Sequence, residues 1–173
     1  MIKPEEIEDL ETFLALSYLL EIESSDRYSE LADNMQVHNN PEIEQLFRKL
    51  SEYSGMHAAE ILEHSKGKVL PKVASWQFQW KDPEGPETTA FELAEYEMTS
   101  EKVLNLALHN EISGRDFYAH IAQQSPSAEI REMAAEFTEE ETEHVQLLEK
   151  WITQLADKKE LIRDDLDPPN MPE

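Results

Sequence analysis

An all-α fold is what this sequence predicts: a four-helix bundle of two helical hairpins joined by a long crossover. Three observations lead there. Four stretches place apolar residues at helical spacing. Of 173 residues only 4 are glycine while 31% are charged, a balance that favours long helices over turn-rich sheet. The second half also repeats the first, helix on helix.

The first helix is expected from about Pro4 to Asn34, with Phe13, Leu14, Leu16, Leu20, Leu31 and Met35 facing inward. Leu14, Glu21, Tyr28 and Met35 form a seven-residue row within that face, which carries Glu21 inward with them. Asn39-Asn40-Pro41-Glu42 ends this helix and starts the next, with Asn40 as N-cap and Pro41 at the first helical position. The second helix runs from Pro41 to about Ser65 and turns Ile43, Leu46, Phe47, Leu50, His57 and Ile61 inward. A link this short makes the pair an antiparallel hairpin.

From Gly67 to about Thr99 the chain becomes rich in proline and aromatics, with Pro71, Trp76, Phe78, Trp80, Pro83 and Pro86. A connection of this length suits a crossover along a bundle. Thr89-x-x-Glu92 reads as a capping box for a short helix inside it. The third helix follows from Ser100 to about Gln124, with Val103, Leu104, Ala107, Leu108, Glu111, Tyr118, Ile121 and Ala122 inward. Ser125-Pro126 repeats the cap-and-proline restart, and the fourth helix runs from Ser127 to about Asp157. Residues 1–158 thus form the bundle, and 159–173 an acidic, proline-rich tail. Met35, Met56, Met98 and Met133 read as core fillers.

Composition narrows the function. A net charge of -23 argues against nucleic acid as a partner, because phosphate backbones call for clustered Lys and Arg. It suits a surface that attracts cations. With 0 cysteines, disulfides, zinc ribbons and thiolate chemistry are excluded. Met1-Ile2-Lys3-Pro4-Glu5-Glu6 lacks the apolar core of a signal peptide, and no apolar run approaches a membrane span, so no membrane partner and a cytoplasmic location are expected.

The chemistry is carried by a few inward polar residues. Glu141 and His144 stand three apart on one helical face, otherwise formed by Ile130, Ala134, Phe137, Leu148 and Trp151. A carboxylate and an imidazole on an apolar face need a partner, and a hard or borderline metal ion is one they can share. The internal repeat multiplies this signal. At an offset of 90 residues, Leu14 falls on Leu104, Glu21 on Glu111, Tyr28 on Tyr118 and Ala32 on Ala122. At an offset of 87, Ile43 falls on Ile130, Leu46 on Met133, Leu50 on Phe137, His57 on His144 and Ile61 on Leu148. Taken singly, Glu21 and Glu111 could be core-edge acids paired with Arg27, Arg115 or a tyrosine, and His57 a hydrogen-bonded core histidine.

Leu20-Glu21-Ile22-Glu23-Ser24-Ser25-Asp26-Arg27-Tyr28 and Asn110-Glu111-Ile112-Ser113-Gly114-Arg115-Asp116-Phe117-Tyr118 resemble the first and third helices of rubrerythrin-like members of the ferritin-like superfamily. Leu50-Ser51-Glu52-Tyr53-Ser54-Gly55-Met56-His57 and Phe137-x-x-x-Glu141-x-x-His144 are similar to their second and fourth. The resemblance implies a ferritin-like bundle with two non-haem iron ions, held by one Glu from each of two helices and Glu-x-x-His from the others. Its metal ligands here would be Glu21, His57, Glu111, Glu141 and His144, with Tyr28 and Tyr118 behind them. It implies a di-iron oxidoreductase, peroxidase-like or ferroxidase-like; the alternatives are a metal-binding or storage bundle without turnover, holding zinc or manganese, and a scaffold whose site has decayed. No residue is singled out as catalytic beyond the ligands.

Two departures follow. Ser54 stands where the family's second helix has a bridging Glu. Glu60, one turn beyond His57, is the nearby acid that could compensate, though its repeat counterpart is Leu147. Rubrerythrins proper also carry a rubredoxin-like centre held by four cysteines, and with none here an external electron donor is expected. Two unequal metal sites are therefore expected, the weaker at Glu21 and His57, with Ser54→Glu strengthening it. The apolar surplus of Trp76, Phe78 and Trp80 predicts a homodimer.

Overall fold

A computed structural model describes residues 7–73 and 99–164, with side chains described through residue 158. Four helices make up these residues: α1 (Leu10–Val37), α2 (Pro41–His64), α3 (Ser100–Gln124) and α4 (Ala128–Asp164). Among the described residues there is no strand, and no helix is long and apolar enough to cross a membrane.

Capping sets the boundaries. Asp9 starts α1 by accepting from the Thr12 N–H at 2.8 Å, so the helix begins later than the periodicity around Pro4 suggested. Asn40 caps α2, accepting from the Ile43 N–H at 3.4 Å, with Pro41 in the first turn as expected. Just before it, Asn39 takes a left-handed φ of 54°, a conformation asparagine tolerates better than most residues. Thr99 caps α3, and Ser127 accepts from the Ile130 N–H at 3.4 Å to open α4. α4 continues to Asp164, past the end expected near Asp157.

α1 packs on α2 and α3 on α4 as two hairpins. Their relative direction follows from the core. One apolar cluster joins Tyr28, Leu31, Met35, Ile43, Phe47, Leu50, Val103, Leu104 and Leu148. The other joins Phe13, Leu14, Ile61, Phe117, Tyr118, Ile121, Ile130 and Phe137. The start of α2 therefore shares one end of the bundle with the start of α3, and their finishes share the other. The Asn40 amide confirms this by donating to the Ser100 hydroxyl at 2.7 Å. α2 and α3 thus run parallel, with the end of α2 and the start of α3 at opposite ends of the bundle, the arrangement of ferritin-like bundles. Trp76, Phe78, Trp80 and the Thr89 capping box lie outside the described residues. Met56, expected as core, is instead 58% exposed, because it lies on the solvent side of α2 beside inward Ser54.

Between the two apolar clusters lies a belt of buried polar side chains: Ser17, Glu21, Ser54, Glu111 and His144. This belt is where the function resides.

Candidate metal centre

Each helix brings its polar residue to the belt by the same logic, an inward position on an otherwise apolar row. On α3 and α4, Glu111, Glu141 and His144 converge: one ligand atom from each lies within 4.8 Å of the others. His144 Nδ1 is 3.1 Å from Glu111 Oε2 and 3.6 Å from Glu141 Oε2. From α1, the Tyr28 hydroxyl donates to Glu111 Oε1. Gly114 lies against the cluster: a Cβ there would meet the Glu141 carboxyl at 3.6 Å, an ordinary contact distance.

Electrostatics explains how so many carboxyls stay close without an ion. Burial first, and then the neighbouring Glu111 charge, hold Glu141 well above the usual carboxylate range. Burial also pushes Glu111 upward, but bonds from His144, Glu141 and Tyr28 outweigh it and leave this carboxyl below its ordinary value. His144 responds in kind: burial lowers its pKa, and the Glu111 carboxylate more than reverses that. Two carboxyls shifted in opposite directions thus lie beside one imidazole, and each of the three residues offers one ligand atom.

Glu21 and His57 form the other half. His57 Nδ1 is 3.8 Å from Glu21 Oε2, too long for a hydrogen bond. Both atoms are buried and without a hydrogen-bond partner. The adjacent Glu21 carboxylate still holds His57 above its ordinary pKa, against the opposing effect of burial. The two halves meet through their histidines, whose rings stack at 5.4 Å and 14°. Tyr53 lies along His144 at 5.9 Å and 2°. Tyr118, counterpart of Tyr28, is buried; burial, then the charges of Glu21 and Glu141, raise its phenol well above the usual value.

The structure thus assembles Glu111, Glu141 and His144, places Glu21 and His57 alongside, and leaves Glu60 exposed on the outer side of α2. Ser54 is 2% exposed at the position matching Glu141. Ser25 and Ser51 exchange side-chain-to-backbone hydrogen bonds of 2.9 and 2.8 Å across α1 and α2. A Cβ on Gly55 would lie 3.7 Å from the Ser25 hydroxyl. One acid escaped the sequence reading: Glu140, whose Oε2 lies 3.8 Å from His57 Nε2. The internal repeat hid it, since its counterpart is Tyr53.

These donors fit a metal. The fit rests on the unpartnered Glu21 Oε2 and His57 Nδ1 and on carboxylates whose mutual repulsion a cation would relieve. A four-helix bundle with paired hairpins, a crossover between them and a Glu/His belt defines a ferritin-like carboxylate protein. A sequence model of the rubrerythrin family matches residues 12–77 and 102–169, and the chain belongs to that family. Its fold also matches the crystal structure of an uncharacterized conserved protein from Magnetospirillum magnetotacticum MS-1. The TM-score is 0.72 at 39% identity, over 84% of this chain and 95% of that one. No curated protein matches.

Proposed function

We propose that the bundle holds two non-haem iron ions and works as a redox protein toward peroxide, dioxygen or ferrous iron itself. The observation that carries this reading is the convergence of Glu111, Glu141 and His144 within 4.8 Å in a buried belt. Carboxylate-rich ligation with one imidazole per ion suits iron, which when bound supplies single electrons and open coordination positions.

The chain's own residues prepare that chemistry. Tyr28 engages one oxygen of Glu111 and leaves the other facing His144. Burial and Glu111 raise the pKa of Glu141, and a bound cation would bring it back down. His57 and Glu21 offer a second, less charged position, because Ser54 contributes no carboxylate. With no cysteine in the sequence, electrons come from another molecule. A cytoplasmic homodimer goes with this reading, and light scattering at micromolar concentration should give twice the monomer mass.

Anaerobic loading with ferrous iron, followed by peroxide with a supplied reductant, tests the proposal. Two irons per chain and reductant-dependent peroxide loss are expected. Two tightly held ions without turnover would favour storage of iron, zinc or manganese instead. One ion or none would favour a scaffold with a degenerate site, a reading that Ser54 motivates.

A further inference from the structure

We infer that Glu140 of α4 is the positioning residue for His57. With an ion bound, its carboxylate, 3.8 Å from Nε2, closes to accept the imidazole Nε2–H, so that Nδ1 turns its lone pair toward the ion shared with Glu21. This rests on the metal-binding reading above and concerns its weaker half.

An imidazole ligates one ion through one nitrogen, and His57 has a carboxylate on each side. Nδ1 faces Glu21 Oε2 and Nε2 faces Glu140 Oε2, each at 3.8 Å. Three observations decide which nitrogen takes the ion. Glu21 Oε2 and His57 Nδ1 are buried and unpartnered, the Glu21 side chain being only 6% exposed, so the gap between them lacks the group that would satisfy both. In the other half, His144 also presents Nδ1 to its carboxylates. The Glu140 side chain, by contrast, is 36% exposed and lies on the solvent side of the ring. The ion belongs at Nδ1, the proton at Nε2, and Glu140 is the acceptor that fixes this tautomer. A carboxylate behind a ligating histidine orients the ring and makes it a stronger donor.

The repeat shows what is unusual here. Positions 53 and 54 of α2 match 140 and 141 of α4. The α4 side reads Glu-Glu and the α2 side Tyr-Ser. His144 therefore has Glu141 beside it in its own helix and the Tyr53 ring along its face. His57 has neither a carboxylate at Ser54 nor an aromatic at 140. The anion missing next to His57 is returned one position earlier and from the opposite hairpin. Glu60, the acid that sequence spacing offered, stays exposed and contacts the site only by pushing the Glu140 pKa further up, after burial has raised it.

The test uses full-length protein labelled with 15N-histidine and loaded with zinc. Long-range 1H–15N correlation spectra should show His57 protonated at Nε2 and metal-bound at Nδ1. In zinc titrations Glu140→Ala should weaken the second ion by about 10- to 100-fold and leave the first unchanged. Glu140→Gln, which keeps a neutral acceptor, should fall between the two. Zinc on His57 Nε2, or an unchanged second affinity in Glu140→Ala, overturns the inference while the two-ion reading stands. A natural protein that takes up no ion overturns both. Equal melting of the zinc-free variants checks that this half-exposed substitution leaves the fold intact.

Discussion

At the scale of single residues, the proposed tighter cation position depends on Glu141, whose pKa burial and a neighbouring anion hold well above the usual carboxylate range. Glu141→Ala should remove the stronger of two steps in a calorimetric metal titration and leave the weaker one. Such shifts make the metal-free protein pH-sensitive, and the sign can be worked out. Glu141 is raised above its ordinary 4.5, and His144 and His57 above 6.5, so each binds its proton more tightly when folded. Their stabilisation is present below those ordinary values and is lost as pH rises through the folded ones. Glu111 is shifted the opposite way, and its contribution disappears only in acid, below 4.5. Thermal melts of chelated protein should therefore fall from about pH 5 to pH 8, while the metal-loaded protein shows no such decline. The inward placement of Glu21, His57, Glu111 and His144 was legible in the sequence because each lies on an apolar row and has a repeat partner, and that of Glu141 because it stands three residues before His144 on the same row. Glu140 was not, because helical spacing reports neighbours within a helix, and its partner His57 belongs to another.

At the scale of helices, the two hairpins differ in what faces their seams. Gly114 on α3 lies against the Glu141 carboxyl. In the matching place on α1 stands Ser24, facing the half in which Ser54 replaces the acid. Ser54 is buried, so a Glu there alone must displace packed neighbours, at a cost of about 1–3 kcal/mol. The double substitution Ser24→Gly with Ser54→Glu should strengthen the second titration step more, and melt higher, than Ser54→Glu alone. Helix starts at Pro41 and Ser100 were legible from Asn40-Pro41 and Thr99-Ser100. The start of α1 was not, because Pro4 and Asp9 both offer a beginning and only the bond from Thr12 to Asp9 decides.

At the scale of the whole molecule, the belt is closed at both ends by apolar clusters drawn from all four helices. Exposure across it is graded. Glu111 and Glu21 are 4% and 6% exposed, His144 8%, His57 17% and Glu140 36%. The least buried side chains lie together where α2 meets α4. Diethyl pyrocarbonate applied to chelated protein should accordingly modify His57 before His144, as peptide mass spectrometry would resolve. The closed ends have a consequence for traffic. An ion cannot travel along the axis of the bundle without crossing layers of phenylalanine, leucine and isoleucine, so the doorway is lateral. Under the proposed two-ion reading, Glu140 and His57, the most exposed members of the belt, are where an incoming cation first arrives. The half with fewer anions would then also serve as the corridor, its weaker grip letting a cation move on toward Glu111 and Glu141.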